Sequence, residues 1–325
     1  MCVIKKIEIT NLFGEKNIAW ELHRDVNILG GDNGSGKTTI LRSCYELIQN
    51  GNLPAPLAQL VGSVTIHFTN GWRLELEKIE NANTVNLPHV GGNAFVTLGP
   101  KGNVTMTQVP HLFDDHNKPV NFASLKDFCH VYFVSSFERT LSEAIQLGKI
   151  TPAEDAASTY LDALIKQQLD LRNEKFAGAM EQLMEQFSAS FGKPLQIKAT
   201  PEIKNYLDFY QSLGKFLTGY KIGIDNRINV IKKGKTDVPI PYTRLSSGEK
   251  QLLYILLVAV NTQHENSVLF MDEPDLSLHV DWKKILIREI MNINPNLQLI
   301  VATHAPSMIT GWFEHVKEVS NIQNA

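Results

Sequence analysis

The sequence is poor in cysteine, with only three among its 325 residues. Cys2, Cys44 and Cys129 are scattered, so they match neither a metal-ligand spacing nor a disulfide framework. Long hydrophobic runs are also missing, because the longest one, residues 252–260, has about half the length that a membrane-spanning helix needs. Residues 1–9 alternate like a strand and do not contain the apolar core of a secretion signal. We therefore expect a cytoplasmic chain that does not span a membrane, with Cys44 buried and reduced.

A strong charge bias is absent as well. The formal net charge is −3, and the fractions of hydrophobic and charged residues, 43% and 20%, are ordinary for a globular protein. A global attraction to nucleic acid is thereby excluded, so any nucleic-acid site has to be a local patch. No internal repeat is found, and the length allows one large domain or two ordinary ones.

What the sequence does contain is a phosphate-binding pattern at residues 31–38, which read GDNGSGKT. This phosphate loop follows a short apolar strand, residues 26–29, and precedes apolar residues at helical spacing over 39–48. Its glycines let backbone N–H groups turn toward phosphates at the positive end of the following helix. Lys37 is expected at the terminal phosphates, and the Thr38 hydroxyl is expected at Mg²⁺. The predicted nucleotide-binding residues are Asn33, Gly34, Ser35, Gly36, Lys37, Thr38 and Thr39.

A second apolar strand, residues 267–271, ends in two acids, Asp272 and Glu273, which Pro274 follows. In a chain that already has a phosphate loop, the first acid is placed to hold Mg²⁺ through its water shell. The second acid is placed to polarise the attacking water. We therefore predict Thr38 and Asp272 as metal residues and Glu273 as a catalytic residue.

A third apolar strand, residues 297–303, leads into His304. At the carboxyl end of a parallel strand, a neutral imidazole could contact the γ-phosphate or the attacking water. The alternative is a histidine whose hydrogen bond to a backbone carbonyl is purely structural. The position of His304 at a strand end beside Thr303 favours the catalytic role.

Residues 245–251, which read LSSGEKQ, precede the apolar run 252–260 directly. Ser246 and Gly248 would open a helix there, with exposed amides and a hydroxyl that form a second anion site. The alternative is a helix cap in which Glu249 completes a capping box. A cap and a phosphate contact use the same groups, so the sequence leaves both interpretations open.

In order along the chain, these four elements resemble the ATP-binding-cassette (ABC) ATPases over roughly residues 1–140 and 215–312. The resemblance implies that the cofactors are ATP and Mg²⁺, that ATP is hydrolysed to ADP and phosphate, and that His304 steadies the γ-phosphate. It also implies a head-to-tail homodimer or higher oligomer, in which residues 245–251, here called the signature segment, close on the ATP of another copy. The predicted signature residues acting in trans are Ser246, Ser247, Gly248 and Glu249.

Two further resemblances indicate to which group within this superfamily the chain is most similar in its motifs. Residues 7–14 look like the first strand and turn of the soluble ABC ATPases that include the SMC, RecF and RecN proteins. Residues 272–279 and 302–306 are similar to ATPases of OLD-type nucleases and of the Septu and retron anti-phage systems. His279 departs from the transporter cassettes, which place an aspartate there, so the communication between sites at that loop is not carried over. The family's glutamine loop has no clear equivalent, and the candidates after the strand 131–134 are Ser135, Ser136, Arg139 and the more distant Gln146.

The predicted fold class is α/β, an ABC ATPase head with a mostly parallel core sheet, an antiparallel β-subdomain and a helical insertion. We expect an N-terminal lobe over residues 1–140, a mainly helical insertion over 141–214 and a C-terminal lobe over 215–325. The antiparallel sheet is expected in residues 60–110, with looser loops between Pro88 and Pro110. Two roles are open for the insertion: structural scaffolding, or a lever to which a partner docks. Residues 195–199 are predicted to form a strand.

Other polar clusters carry less weight. Residue types that ligate metals occur together at His111, Asp114, Asp115 and His116, but their spacing suits no common site, and Pro110 and Pro119 indicate an exposed loop. Residues 232–235 contain three lysines in a turn between 228–231 and 238–240, where a solvated hairpin tip is favoured over a phosphate contact. Arg24 and Arg42 lie near the phosphate loop without an assigned role.

Two hypotheses for the biological role follow. The first is a regulatory ATPase subunit that acts as the sensor of an anti-phage defence complex and controls a separate effector, either a nuclease or a toxin. A Toprim nuclease would need further acidic strands after His304, so we expect any cleavage to be done by another polypeptide. The alternative is a DNA-repair or DNA-tethering ATPase of the RecF or SMC type, whose partner would be nucleic acid. A scaffold that binds ATP without hydrolysing it is disfavoured, because Asp272, Glu273 and His304 are all present.

Overall fold

The computed structural model describes residues 3–80, 95–98, 104–135, 159–189, 201–222, 229–232, 240–262 and 267–324. Several predictions from the sequence lie outside these residues: the strand 195–199, the glutamine-loop candidates Ser136, Arg139 and Gln146, and the turn 233–235. The chain divides into two compact units. The first contains residues 1–134, 264–273 and 296–325, and the second contains 135–263 and 274–295.

The described residues form sixteen β-strands and six α-helices. The strands are β1 (Ile4–Leu12), β2 (Lys16–Glu21), β3 (Val26–Gly30), β4 (Ser63–Phe68), β5 (Arg73–Glu80), β6 (Phe95–Leu98), β7 (Val104–Phe113), β8 (Pro119–Val120), β9 (His130–Ser135), β10 (Tyr220–Ile222), β11 (Asn229–Lys232), β12 (Ile240–Pro241), β13 (Ser267–Asp272), β14 (Gln298–Ala302), β15 (Val316–Glu318) and β16 (Gln323–Asn324). The helices are α1 (Lys37–Asn50), α2 (Ala55–Ala58), α3 (Tyr160–Ala189), α4 (Pro201–Phe216), α5 (Ser247–Asn261) and α6 (Val280–Ile293).

The core of the first unit is a five-stranded sheet in the order β15-β3-β14-β13-β9. The pairs β15–β3, β3–β14 and β14–β13 are parallel. Every residue of β3, β13 and β14 is buried, which explains why these strands read as continuous apolar runs rather than as alternating patterns. Helix α1 packs on β13 and β14 through one face that includes Ile40, Leu41, Cys44, Leu47 and Ile48. The mostly parallel core sheet predicted from the sequence is confirmed, and Cys44 is buried as expected.

An antiparallel sheet forms the second layer of this unit, in the order β16-β2-β1-β4-β5-β7-β6, with β8 paired to β7. The sequence predicted only its part between residues 60 and 110, and the structure adds the hairpin β1–β2 and the distant strand β16. The expected loose loops between Pro88 and Pro110 are wrong for residues 104–110, because these residues belong to β7 and Pro110 lies opposite Leu76 of β5. Residues 88–94 and 99–103 lie outside the described residues. A proline removes one donor from a strand, and the pairing of β7 with β5 continues on both sides of Pro110.

The second unit is mainly helical, with a small antiparallel sheet in the order β10-β11-β12. Helix α5 carries the apolar run 252–260 and is buried on nearly every side, in accord with a core helix too short to span a bilayer. Its Lys250 forms a buried 2.8 Å ion pair with Asp162 in the first turn of α3, which packs along α5. Helices α4 and α6 are joined in the same way, because Ser212 and Lys215 donate to the fully buried Glu289 carboxylate. Among the described residues, no helix combines the length and the apolar character required to cross a membrane.

Candidate functional site

The predicted site residues of the first unit meet at one edge of its parallel sheet. The phosphate loop follows β3, Asp272 ends β13, and His304 follows β14. Parallel strands present their carboxyl ends at the same edge, which is where ligands bind in open α/β sheets. Segments that are more than two hundred residues apart in the sequence are therefore brought together by the register of three strands.

The phosphate loop adopts a backbone that only glycine accepts easily. Gly31, Gly34 and Gly36 have φ angles of 135°, 79° and 109°, in the left-handed half of the backbone map. At Gly36 a Cβ atom would also come within 3.1 Å of the Phe13 ring, so the loop is packed directly against the β1–β2 turn. Helix α1 then starts at Lys37, and its unpaired N–H groups point out of this loop.

The Lys37 side chain is only 5% exposed, and its ammonium has three hydrogen-bonding neighbours. It donates to the carbonyl oxygens of Gly31 (2.9 Å) and Asp32 (3.2 Å) and lies 2.6 Å from Nε2 of His304. Because an ammonium has only donors, Nε2 accepts in this arrangement and the ring hydrogen lies on Nδ1. Burial lowers the pKa of Lys37, and the carboxylates of Glu273, Asp272, Glu318 and Asp32 oppose that shift.

Thr38 and Asp272 form the second element of the site. The Thr38 hydroxyl donates a 2.9 Å hydrogen bond to Oδ1 of Asp272, whose side chain is fully buried. The other carboxylate oxygen, Oδ2, is buried and has no hydrogen-bond partner among the described residues. Burial raises the pKa of Asp272, and the Thr38 hydroxyl and the charges of Arg42 and Lys37 counteract it only in part. A hydroxyl and a carboxylate with an unused oxygen suit a hard cation such as Mg²⁺.

Glu273 stands in a strained position directly after β13. Its φ angle of 47° is left-handed, which is uncommon for a residue with a side chain. The backbone N–H of Glu273 donates to the Ala302 carbonyl at 2.9 Å, and its Oε2 accepts from the His304 backbone N–H at 3.3 Å. Oε1 lies 3.3 Å from Nε2 of His304 and 3.9 Å from Nζ of Lys37. The carboxylate, the imidazole and the ammonium thus form one contiguous polar cluster.

The signature segment belongs to the second unit and forms a complete capping box. Ser246 is the N-cap of α5, and its Oγ accepts from the Glu249 backbone N–H at 3.4 Å. The Ser246 backbone N–H and hydroxyl both donate to Oε2 of Glu249 at 2.8 Å. Ser246 and Ser247 are exposed, whereas Gly248 is buried, and a Cβ at Gly248 would overlap the Ser277 carbonyl oxygen. The signature segment therefore forms the helix cap that the sequence allowed, and the phosphate contact predicted for Ser246 would use the same hydroxyl.

The remaining predicted residues fall into two groups. Asn33 and Gly34 are exposed in the phosphate loop, Thr39 is buried in α1, and the Ser35 hydroxyl is buried without a hydrogen-bond partner in the described structure.

The four residues with metal-ligating side chains between 111 and 116 do not all lie together. His111 lies apart from the other three, within β7, where it contacts Glu77 at 2.9 Å. The other three, Asp114, Asp115 and His116, lie together in the turn before β8, where both Asp115 and His116 are exposed.

One residue beside the phosphate loop was missed from the sequence. Glu318 ends β15, opposite Gly30 in the parallel pairing with β3. Its Oε1 would lie only 2.6 Å from a Cβ built on Gly30, and its Oε2 would lie 3.5 Å from one built on Gly31. A three-residue edge strand gives almost no periodic signal, so the sequence offered no way to place this acid.

The chain is similar to a protein family and to several curated proteins. Residues 137–309, more than half of the chain, match the family model described as "AAA domain, putative AbiEii toxin, Type IV TA system". The chain is 23% identical over 338 aligned positions to the Septu protein PtuA of Bacillus thuringiensis, which covers 95% of this chain and 73% of that protein. It is 34% identical over 94 residues to the "Retron Vc95 probable ATPase" of Vibrio cholerae serotype O1 biovar El Tor, and this match covers 26% of this chain and 18% of that protein.

A shorter match of 31% identity over 85 residues is found with the "Retron Ec83 probable ATPase" of Escherichia coli and covers 23% of this chain and 16% of that protein.

Among solved structures, an SMC head bound to the C-terminal winged-helix domain of ScpA superposes with a TM-score of 0.52 and 16% identity over 94% of this chain and 91% of that one. An SMC head with an extended coiled coil, bound to the C-terminal domain of ScpA from Pyrococcus furiosus, gives the same TM-score with 14% identity over 95% and 91%. These two structures share the fold of the chain, which is that of ABC ATPase heads. The chain belongs to the AAA-domain family matched over residues 137–309 and is an ABC-type ATPase related to the ATPases of retron and Septu defence systems.

Proposed function

We propose that the chain binds ATP with Mg²⁺ at the edge of its parallel sheet and hydrolyses it to ADP and phosphate. The observation that carries this proposal is the convergence of Lys37, Thr38, Asp272, Glu273 and His304 in one unit. The left-handed loop and the start of α1 supply backbone N–H groups for the phosphates. Thr38 and the unused Oδ2 of Asp272 would hold Mg²⁺, directly or through its water shell, and the cation would neutralise charge on the β- and γ-phosphates.

The acid beside the metal residues is suited to the proton transfer. Glu273 is a carboxylate at 13% exposure, and its Oε1 lies 3.9 Å from Nζ of Lys37, the residue expected at the terminal phosphates. In our proposal it accepts the proton of the attacking water, and its strained backbone fixes the direction of the side chain. His304 is held by the strand end of β14 and contributes a hydrogen bond to the γ-phosphate or to the same water.

Nucleotide binding requires a change in this cluster. All three hydrogens of the Lys37 ammonium are used by Gly31, Asp32 and His304, so a terminal phosphate must replace at least one of these acceptors. The contact with His304 is the one that a γ-phosphate replaces most directly, because His304 is itself predicted to contact that phosphate, where its Nε2 would donate once the ring hydrogen has moved from Nδ1 to Nε2. The contact between Lys37 and His304 would therefore belong to the nucleotide-free protein, and its loss would free both residues for ATP.

We further propose that hydrolysis takes place at sites shared between two copies, with the signature segment of one copy closing on the ATP of the other. The support is the exposure of Ser246 and Ser247 at the N-terminus of α5, a helix end that favours anions. The trans arrangement is carried over from the ABC family through the motif order. It predicts that turnover depends on protein concentration, because the complete site forms only in the dimer.

For the biological role, we propose that the chain is the ATPase and sensor subunit of a defence complex and controls a separate nuclease or toxin. The support is the match to the Septu protein PtuA across 95% of this chain, together with the two retron ATPases. The polar residues of the candidate site account for ATP chemistry, so the effector activity is assigned to another polypeptide.

The test is an affinity purification of tagged Glu273→Gln with ATP and Mg²⁺, in which both co-purifying protein and nucleic acid are identified. This variant should hold ATP without turning it over, so the ATP-bound assembly accumulates. A co-purifying nuclease or toxin supports the defence role, and a Lys37→Ala control that cannot bind ATP should lose an ATP-dependent partner. Bound DNA without a second protein would contradict the defence role and would favour a DNA-repair or DNA-tethering ATPase.

A further inference from the structure

The phosphate loop has an acidic neighbour that the chemistry of ATP hydrolysis does not require. Glu318 is the last residue of β15, so it lies at the same carboxyl edge of the sheet as the phosphate loop, Asp272 and Ala302. Its carboxylate lies against the backbone of Gly30 and Gly31, the residues through which β3 passes into the loop. The absence of side chains at these two glycines leaves the space that the carboxylate occupies.

The Glu318 charge reaches into the nucleotide site. It is one of the four carboxylates that favour the charged form of Lys37, although it does not form a direct ion pair with that ammonium. Glu318 is exposed and forms no ion pair within the described part of the chain, so Lys37 offsets its charge only from a distance. Phosphates bound by the loop would therefore approach a carboxylate that has no paired cation.

We propose that Glu318 lowers the affinity of the loop for nucleotide phosphates and so sets the ATP concentration at which the site fills. The inference rests on the proposed ATP site. For the two net negative charges of MgATP at a distance on the order of 10 Å in water, the repulsion from one carboxylate corresponds to about a fourfold loss of affinity. Because the carboxylate is exposed, salt screens this repulsion, and the effect shrinks as the Debye length falls from about 30 Å at 0.01 M to about 8 Å at 0.15 M.

The experiment compares Glu318→Gln with the unaltered chain by calorimetric titration of MgATP, ADP and AMP at low and at physiological salt. Removing the charge should strengthen MgATP binding by about fourfold at low salt and by less at physiological salt. ADP without metal should gain more than AMP, because it carries more negative charge. Glu314→Gln removes an exposed acid of the same type from the segment just before β15, away from the phosphate loop, and is the matched control.

The outcomes separate this inference from the proposed function. If the unaltered chain binds no nucleotide, the proposed ATP site is wrong. If it binds MgATP and Glu318→Gln binds equally well at low salt, or gains no more than Glu314→Gln, the inference about Glu318 is overturned while the ATP site stands. Weaker binding by Glu318→Gln would overturn it too, since it would mean that the carboxylate serves mainly to keep Lys37 charged.

Discussion

The buried Asp272 carboxylate should destabilise the folded protein when neither Mg²⁺ nor nucleotide is bound. Its side chain is fully buried, one oxygen is bonded to Thr38, and the other has no partner among the described residues. Burial raises the pKa of Asp272, so its ionised form is disfavoured by folding in the absence of a cation. Asp272→Asn keeps the shape and an acceptor for the Thr38 hydroxyl while it removes the charge. We expect this variant to be more stable than the unaltered chain without nucleotide by about 1 kcal/mol, because a buried polar group without a partner costs about 1–3 kcal/mol and costs more when it is charged.

The sign of the pH dependence follows from the raised pKa. A carboxyl group whose pKa is higher in the folded than in the unfolded state favours folding at low pH, and this contribution is lost as pH rises through the folded pKa. The unaltered chain and Asp272→Asn should therefore be similarly stable below the ordinary carboxyl value of 3.8, where the side chain at position 272 is neutral in both the folded and the unfolded chains. Their difference in unfolding free energy should open as pH rises above that value and persist at neutral pH.

Magnesium and ATP should reverse the order of stability. At a ligand concentration one hundred times the Kd, binding stabilises a folded protein by about 2.7 kcal/mol, which corresponds to about 4 °C in Tm for a chain of 325 residues. The unaltered chain should gain this increment from MgATP, whereas Asp272→Asn should gain little. Thermal unfolding of both proteins, with and without MgATP at several pH values, measures all of these quantities. A lower Tm of empty Asp272→Asn, or an equal MgATP increment in the two proteins, would refute the assignment of Asp272 as the buried metal residue.

Two further substitutions test separate parts of the structure. Glu273→Gln should retain ATP binding and lose turnover by about two or more orders of magnitude, the scale of a lost general base; undiminished turnover at saturating ATP would contradict the role of Glu273. Gly248→Ala should lower the free energy of unfolding by about 1–3 kcal/mol, because the added Cβ overlaps the Ser277 carbonyl oxygen in the same unit. Chemical denaturation measures that loss, with Gly178→Ala on α3 as the control, where a Cβ would meet no atom within 4 Å. Equal unfolding midpoints for the two glycine variants would argue against a tight contact at Gly248.

The elements that the sequence predicted well are those whose signal is local. About ten consecutive residues are enough to predict each of these elements: the phosphate loop, the all-apolar strands β3, β13 and β14, and the capped helix α5. The meeting of Lys37, Asp272 and His304 followed from one rule, that parallel strands share their carboxyl edge. The roles assigned to these residues remain predictions, which the turnover and binding measurements above test.

What the sequence could not predict depends on contacts between distant segments. The pairing of β16 with β2 joins residues about three hundred positions apart, and β16 has only two residues. Pro110 was expected at the end of a loop, and its place within β7 follows only from the pairing of that strand with β5, where it lies opposite Leu76. Glu318 belongs to the same class, since its importance comes from Gly30 and Gly31 beside it rather than from its own sequence context.

Ser246 is the N-cap of α5 and is also proposed to contact the ATP of another copy, so substitutions that separate these two roles test the shared site. Ser246→Ala would remove the cap as well as the hydroxyl, and cap loss alone costs about 1 kcal/mol, so that variant cannot separate the two roles. Ser246→Asn keeps both cap interactions, because its amide can accept from the Glu249 N–H and donate to the Glu249 carboxylate. If the hydroxyl serves the ATP of a partner, Ser246→Asn should keep the Tm of the unaltered chain and lose turnover by about tenfold or more.

Mixing variants then shows in which copy the hydroxyl acts. Ser246→Asn has an intact phosphate loop, and Lys37→Ala has an intact signature segment, so each alone should be nearly inactive. In a head-to-tail dimer of the two, one site combines the intact loop of the first with the intact signature of the second. Random pairing makes half of the dimers mixed, each with one of two sites restored, so turnover should recover to about a quarter of the unaltered value. Contact within a single copy predicts no recovery at any mixing ratio, because no chain in the mixture then has both parts intact.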